Sequence, residues 1–180
     1  MAKSAKSRYM ILGLLADGPR SGYDIKADVE GAAAHFWRES FGSIYPVLEK
    51  LRKEGLVAVR EAAVGGRRRR IFALTPAGRG ALRSWLAEPV EPDVLRLELL
   101  LKLHVGGGAP PELMIDHLER YRREQEAYRA LLDEFDRDLR NSPRREPGRT
   151  YRRLTVRLGQ HVCAARLAWA KEAIATLRRR

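Results

Sequence analysis

Apolar residues recur at helical spacing over Ser7 to Leu15, where Met10, Ile11, Leu14 and Leu15 share a face and Gly18-Pro19 closes the segment. A second helix is predicted from Ser21. Asp24 stands three residues on, so the hydroxyl can cap an early N–H and the carboxylate sits at the positive end of the dipole. Ile25 and Val29 face inward, and Gly31 is a stop signal. After a linking segment with His35, Phe36 and Trp37, a third helix begins between Ser40 and Ser43 and runs to Glu54, where Gly55 terminates it. Its apolar stripe is Ile44, Val47, Leu48 and Leu51, leaving Ser43, Tyr45, Pro46, Lys50 and Lys53 on the other face. The period then changes to alternation, over Leu56 to Val64 and Arg68 to Leu74, joined around Gly65-Gly66, which supply the positive φ of a tight hairpin. Thr75-Pro76 combines a helix cap with proline at the first helical position, so a fourth helix runs to about Ala87 and buries Leu82, Trp85 and Leu86. Pro89 and Pro92 end it.

The second half reads differently. Leu95 to His104 is an apolar helix, Gly106 to Pro111 a flexible break, and a long helix follows from Glu112. Met114, Leu118, Tyr121, Gln125, Tyr128, Leu132, Phe135 and Leu139 are separated by 4, 3, 4, 3, 4, 3 and 4 residues, a heptad seam with one polar member. A loop around Asn141 to Gly148 leads to a last helix, Tyr151 to Leu177, whose predicted inner face is Leu154, Leu158, Val162, Ala165, Trp169 and Ala173.

Helix, helix, helix, hairpin, helix is the order of a winged helix-turn-helix, in which the third helix enters the major groove and the hairpin tip touches flanking DNA. The expected fold is mainly α with a small β-hairpin: a winged-helix DNA-binding domain over 1–90 and a helical dimerisation domain over 91–180, which could also bind an effector. The two long helices form an antiparallel hairpin whose apolar faces exceed what a small winged domain can cover, so a homodimer is expected. The candidate interface residues are Met114, Leu118, Tyr121, Tyr128, Leu132, Phe135, Leu158, Val162 and Trp169.

Charge sharpens this picture. Thirty-five Lys and Arg against 23 Asp and Glu give a net charge of +12 over 180 residues. Arg67-Arg68-Arg69-Arg70, at the predicted hairpin tip, is the densest cluster, and adjacent guanidinium groups repel unless a polyanion lies nearby. One cysteine, Cys163, allows no internal disulfide, so a reducing cytoplasm is expected. The basic residues ahead of Met10 mimic a signal peptide, but the apolar stretch stops at Asp17-Gly18-Pro19. No apolar run reaches membrane-spanning length.

Ser21-Gly22-Tyr23-Asp24, then Ser43-Ile44-Tyr45-Pro46-Val47-Leu48, then Glu54-Gly55-Leu56-Val57, and the segment from Gly66-Arg67 to Leu74-Thr75-Pro76-Ala77-Gly78-Arg79 stand in fixed order. Together they resemble the PadR family of bacterial transcriptional regulators, closely over residues 7–88. The second half is more loosely similar to the helical dimerisation domain of its longer-tailed members. The resemblance implies a homodimer that binds a pseudo-palindromic operator, usually to repress, and that is often released by a small aromatic or drug-like effector. The implied DNA contacts are Tyr23, Ser40, Ser43, Tyr45, Pro46 and Lys50 on the helices, and Arg67, Arg68 and Arg69 on the wing. Four arginines at the wing tip and a triple glycine at 106–108 depart from the family's common pattern.

Enzyme chemistry finds no support. His35, His104, His117 and His161 have no metal-ligand spacing, His161 and Cys163 point to different sides of a helix, and no nucleophile elbow, P-loop or dinucleotide motif occurs. No cofactor is expected. Trp37, Trp85 and Trp169 could stack on a flat effector or simply pack. A rival reading is a basic architectural protein that coats DNA without sequence preference. It explains the charge, but not the uncharged face at Ser43, Tyr45 and Pro46. A MarR-like sensor would keep the mechanism and change the effector class.

Overall fold

The structure is a computed structural model and describes residues 3–29, 44–64, 67–92, 95–143 and 148–179. Ser40 and Ser43, Gly31, the linker aromatics His35, Phe36 and Trp37, the turn Gly65-Gly66 and the side chain of Arg67 lie outside the described residues. The chain divides into two compact units, Met1–Val90 and Glu91–Arg180.

In the first unit, α1 (Lys3–Ala16) leads through β1 (Arg20–Ser21) to α2 (Gly22–Asp28), and α3 (Ile44–Lys53) precedes β2 (Val57–Val64), β3 (Arg67–Leu74) and α4 (Pro76–Leu86). The capping box at the start of α2 is complete: the Ser21 hydroxyl accepts from the Asp24 N–H, and the Asp24 carboxylate accepts from the Ser21 N–H. The Ser21 hydroxyl also donates to the Asp24 carboxylate at 2.7 Å, and this bond is the main reason the Asp24 carboxyl titrates below its ordinary range, with Arg69 and Arg20 adding charge attraction. Gly55, at φ 73°, ends the third helix as the sequence predicts. The sheet has three strands, in the order β1-β3-β2, where the sequence suggests only a hairpin. Arg20 pairs with Phe72 and Ser21 with Ile71. Two residues are too few to alternate visibly, so β1 leaves no period in the sequence.

The core of this unit joins Ile11, Leu12 and Leu15 of α1, Ile25 and Val29, Ile44, Leu48 and Leu51 of α3, and Val57 and Phe72 of the sheet. Thr75 fastens the wing to α4. Its hydroxyl accepts from the Gly78 N–H at 3.0 Å and donates to the Leu56 carbonyl at 3.0 Å. A Cβ at Gly78 would lie 2.1 Å from that carbonyl oxygen, so only glycine lets α4 approach the strand base. Leu86, expected in the core, is exposed, because α4 packs chiefly on α1 and its last turn directs Trp85, not Leu86, at that helix. Trp85 is partly buried and stacks on Tyr9 with ring centroids 4.5 Å apart.

In the second unit, α5 (Glu98–Val105) starts three residues later than expected. Gly106–Gly108, expected as a flexible break, forms a 3₁₀ turn against which Met114 packs. Then α6 (Pro111–Asn141) and α7 (Arg149–Leu177) pair along their length. The α6 seam is observed as predicted, with Met114, Leu118, Tyr121, Gln125 and Leu132 buried. The inner face of α7 is not. Val156, Cys163, Ala170 and Ile174 are buried, whereas Leu154, Leu158, Val162 and Ala165 are exposed. The physical reason is size. Large α6 side chains need small partners, and α7 offers Gly159, where a Cβ would sit 3.0 Å from Leu132 Cδ1. The pair is further joined at Asp136, 3% exposed, which accepts from Arg140 at 2.8 Å and Arg153 at 3.0 Å. No helix is long and apolar enough to cross a membrane among the described residues.

Candidate nucleic-acid interface

Burial of Ile44, Leu48 and Leu51 against the core turns the opposite face of α3 outward, and that face presents Tyr45, Pro46 and Lys50, all exposed. Pro46 lies in the first turn, where a missing N–H costs no helical bond. Tyr23, on the exposed side of α2, is also solvent-facing. Between them stands Gly22, which is buried. A Cβ there would lie 2.6 Å from Tyr45 Cε1, so the absence of a side chain lets the Tyr45 ring rest against the α2 backbone. Gly22 is a positioning residue that motif reading noticed only as part of a tetrapeptide.

The wing carries the second basic group. Along β3, Arg68, Arg70 and Phe72 alternate onto one face and Arg69 and Ile71 onto the other. Arg68 bonds Glu61 at 2.6 Å. Arg70 lies over the Phe72 ring, 5.3 Å from its centroid, and bonds Glu49 of α3 at 3.1 Å. Glu49 also accepts from Arg52 Nε at 2.9 Å. The bonds from Arg52 first and Arg70 second hold the Glu49 carboxyl down to about 2, and in turn the Arg52 guanidinium is pushed above its ordinary value. Helix α3 and strand β3 are therefore joined by a carboxylate in this structure. Sequence reasoning missed Glu49, Arg52 and Arg70 as a group because Glu49 and Arg70 are 21 residues apart and only the fold brings them together. Arg69 remains exposed.

The fold thus brings Tyr23, Tyr45, Pro46, Lys50, Arg68 and Arg69 to the surface of one unit. Of the α6 residues read as dimer contacts, Leu118 and Leu132 are sealed inside the chain's own helix pair, with Met114 and Tyr121 nearly so and Tyr128 and Phe135 packed at the edge of the same core. Trp169 meets Tyr121 edge to face at 6.0 Å. Leu158 and Val162 stay open.

Three helices, a bridging strand and a wing define the winged-helix class of DNA-binding proteins. The model of the PadR-like family of transcriptional regulators matches residues 11–84 of this chain, and a second, described as virulence activator alpha C-term, matches residues 95–178. It is 35% identical over 100 residues to the negative transcriptional regulator PadR of Bacillus subtilis, a match covering 54% of each chain. The chain thus spans about half the length of the curated relatives it matches. Among solved structures, a PadR-like regulator from Bacillus cereus superposes with a TM-score of 0.81 at 27% identity, covering 95% of this chain and 97% of that one. The virulence activator AphA of Vibrio cholerae gives 0.76 at 27% identity, with the same coverages of 95% and 97%. Bacillus subtilis PadR in complex with operator DNA gives 0.82 at 24%, covering 94% and 98%. The same protein has been solved with p-coumaric acid. These relatives are transcriptional regulators, not enzymes.

Proposed function

We propose that this chain is a homodimeric, ligand-responsive repressor that acts in the cytoplasm and reads a pseudo-palindromic operator. The observation that carries the reading is the exposed, largely uncharged start of α3, with Tyr45 and Pro46 beside Lys50, flanked by the arginines of β3. An uncharged reading face discriminates base edges, while the arginines neutralise phosphates on either side. Repression is the mode named for the curated Bacillus subtilis relative. Self-association is supported by the exposed row Tyr151, Leu154, Leu158 and Val162 on α7, a stripe that water does not favour. A two-fold dimer would set its reading helices about 34 Å apart, matching successive major grooves.

The test is binding to the DNA upstream of the chain's own gene against a scrambled fragment of equal length. A regulator prefers the first by about a thousandfold or more, and Tyr45→Ala removes the preference. Equal binding to both fragments, unchanged by Tyr45→Ala, would instead favour a charge-driven DNA coater.

A further inference from the structure

Helix α3 carries a single carboxylate, and it stands on the face turned away from the core. Ile44, Leu48 and Leu51 are buried, and at about 100° per residue Glu49 lies roughly opposite them, one turn after Tyr45 and one turn before Lys53. Its side chain is 37% exposed. A bare carboxylate in that place would be repelled by phosphates, and a helix that also holds Lys50, Arg52 and Lys53 gains no DNA affinity from it. A charge of the wrong sign at the centre of a surface built for a polyanion calls for a gain of another kind.

The bonds around Glu49 supply it. Oε1 accepts from both Nε and Nη2 of Arg52, at 2.9 and 2.5 Å, and Oε2 accepts from Arg70 Nη2 at 3.1 Å. A carboxylate has about four acceptor directions, so about one remains open, on Oε2. The two guanidinium groups offset the charge that phosphate would meet and hold the side chain from the helix and from the strand. They also hold its carboxyl down to about 2, so at neutral pH it accepts and does not donate. Glu49 is thus a fixed acceptor for one further hydrogen bond. In the major groove cytosine fits it best, because its N4 amino group turns one N–H outward with no acceptor beside it on the same base. Guanine shows only N7 and O6, thymine shows O4 and a methyl group, and adenine places the acceptor N7 next to its amino group.

We propose that Glu49 is a specificity-determining residue that accepts from the N4 amino group of a cytosine, with Arg52 and Arg70 as the residues that position it. This rests on the operator reading proposed above and deepens it. The test selects with the full chain from a duplex library randomised over about two helical turns, then scans the enriched sequence by titration, one base pair at a time. The wild type requires a C·G pair whose replacement weakens binding by about tenfold or more. Glu49→Gln moves the preference at that pair to A·T, since an amide can donate to adenine N7 and accept from N6, and Glu49→Ala flattens it, while the other pairs keep their ranking. Loss of a negative charge strengthens binding to every fragment alike and so leaves the ranking readable. A further measurement uses the wild-type chain and does not depend on the folding of a variant. N4-methylcytosine at that pair keeps its pairing hydrogen and replaces the outward one with a methyl group, which weakens wild-type binding by about tenfold and leaves Glu49→Ala indifferent. A wild-type selection with no enriched sequence would overturn the operator reading and this inference together. An enriched sequence would overturn this inference alone if both variants kept the wild-type ranking at every pair or lost it at every pair, or if N4-methylcytosine bound the wild type as well as cytosine does. Glu49 would then be only a tie between α3 and β3.

Discussion

At Gly22 and Glu49, single atoms set what the proposed reading surface can do. Gly22 follows the Ser21 cap, so alanine there suits the helix, and the only obstacle to its Cβ is the far edge of the exposed Tyr45 ring. Gly22→Ala is therefore expected to leave thermal stability almost unchanged while displacing Tyr45 and weakening operator binding by about tenfold, a loss of about 1.4 kcal/mol measured by DNA titration. Glu49 acts in the opposite direction. Its carboxylate occupies Arg52 and Arg70, two cations that would otherwise be available to phosphate. Glu49→Gln is expected to raise affinity for any DNA fragment, specific or scrambled, and to steepen the salt dependence. The pH behaviour has a definite sign. A folded value of about 2 against the ordinary 4.5 means that the pairs contribute stability above about pH 4.5 and lose it as pH falls toward 2. Carboxyl-carbon NMR of Glu49 should show its midpoint near 2, and Arg70→Ala together with Arg52→Ala should return it toward 4.5.

At the scale of elements, α7 is the informative one. It carries two apolar stripes, and periodicity alone does not say which faces α6. The smaller stripe won, since Gly159, Cys163 and Ala170 let the helices approach closely enough to bury Leu132 completely. The larger stripe was left outside. Substitutions should separate the two. Leu132→Ala, at 0% exposure beside Val156 and Cys163, is expected to cost about 2–4 kcal/mol in chemical denaturation. Leu158→Asp, at 66% exposure, is expected to leave the helices formed by circular dichroism but to shift sedimentation toward the monomer. Monomer and wild type sedimenting alike would end the role proposed for that stripe.

For the molecule as a whole, the proposed function makes charge the control on DNA affinity. A net charge of +12 disfavours self-association of bare chains and favours a polyanion. If a dimer neutralises about six phosphates, log affinity should fall against log salt with a slope of about −5, and replacing Arg68 and Arg69 by alanine should flatten it by one to two per wing. A slope near zero would remove the wing arginines from the interface.

Local features were legible in the sequence because their causes are local. The Ser21 capping box, the Gly55 stop, the Thr75-Pro76 start and the polar face of α3 each depend on residues a few positions apart, and the heptad seam of α6 repeats its own signal over 25 residues. Contacts between distant segments left no such mark. The pairing of β1 with β3, the Gly22–Tyr45 approach, the Glu49–Arg70 bond and the choice of stripe on α7 were decided only when the helices and strands packed, because each depends on which surfaces fit without clash or void rather than on any periodicity along the chain.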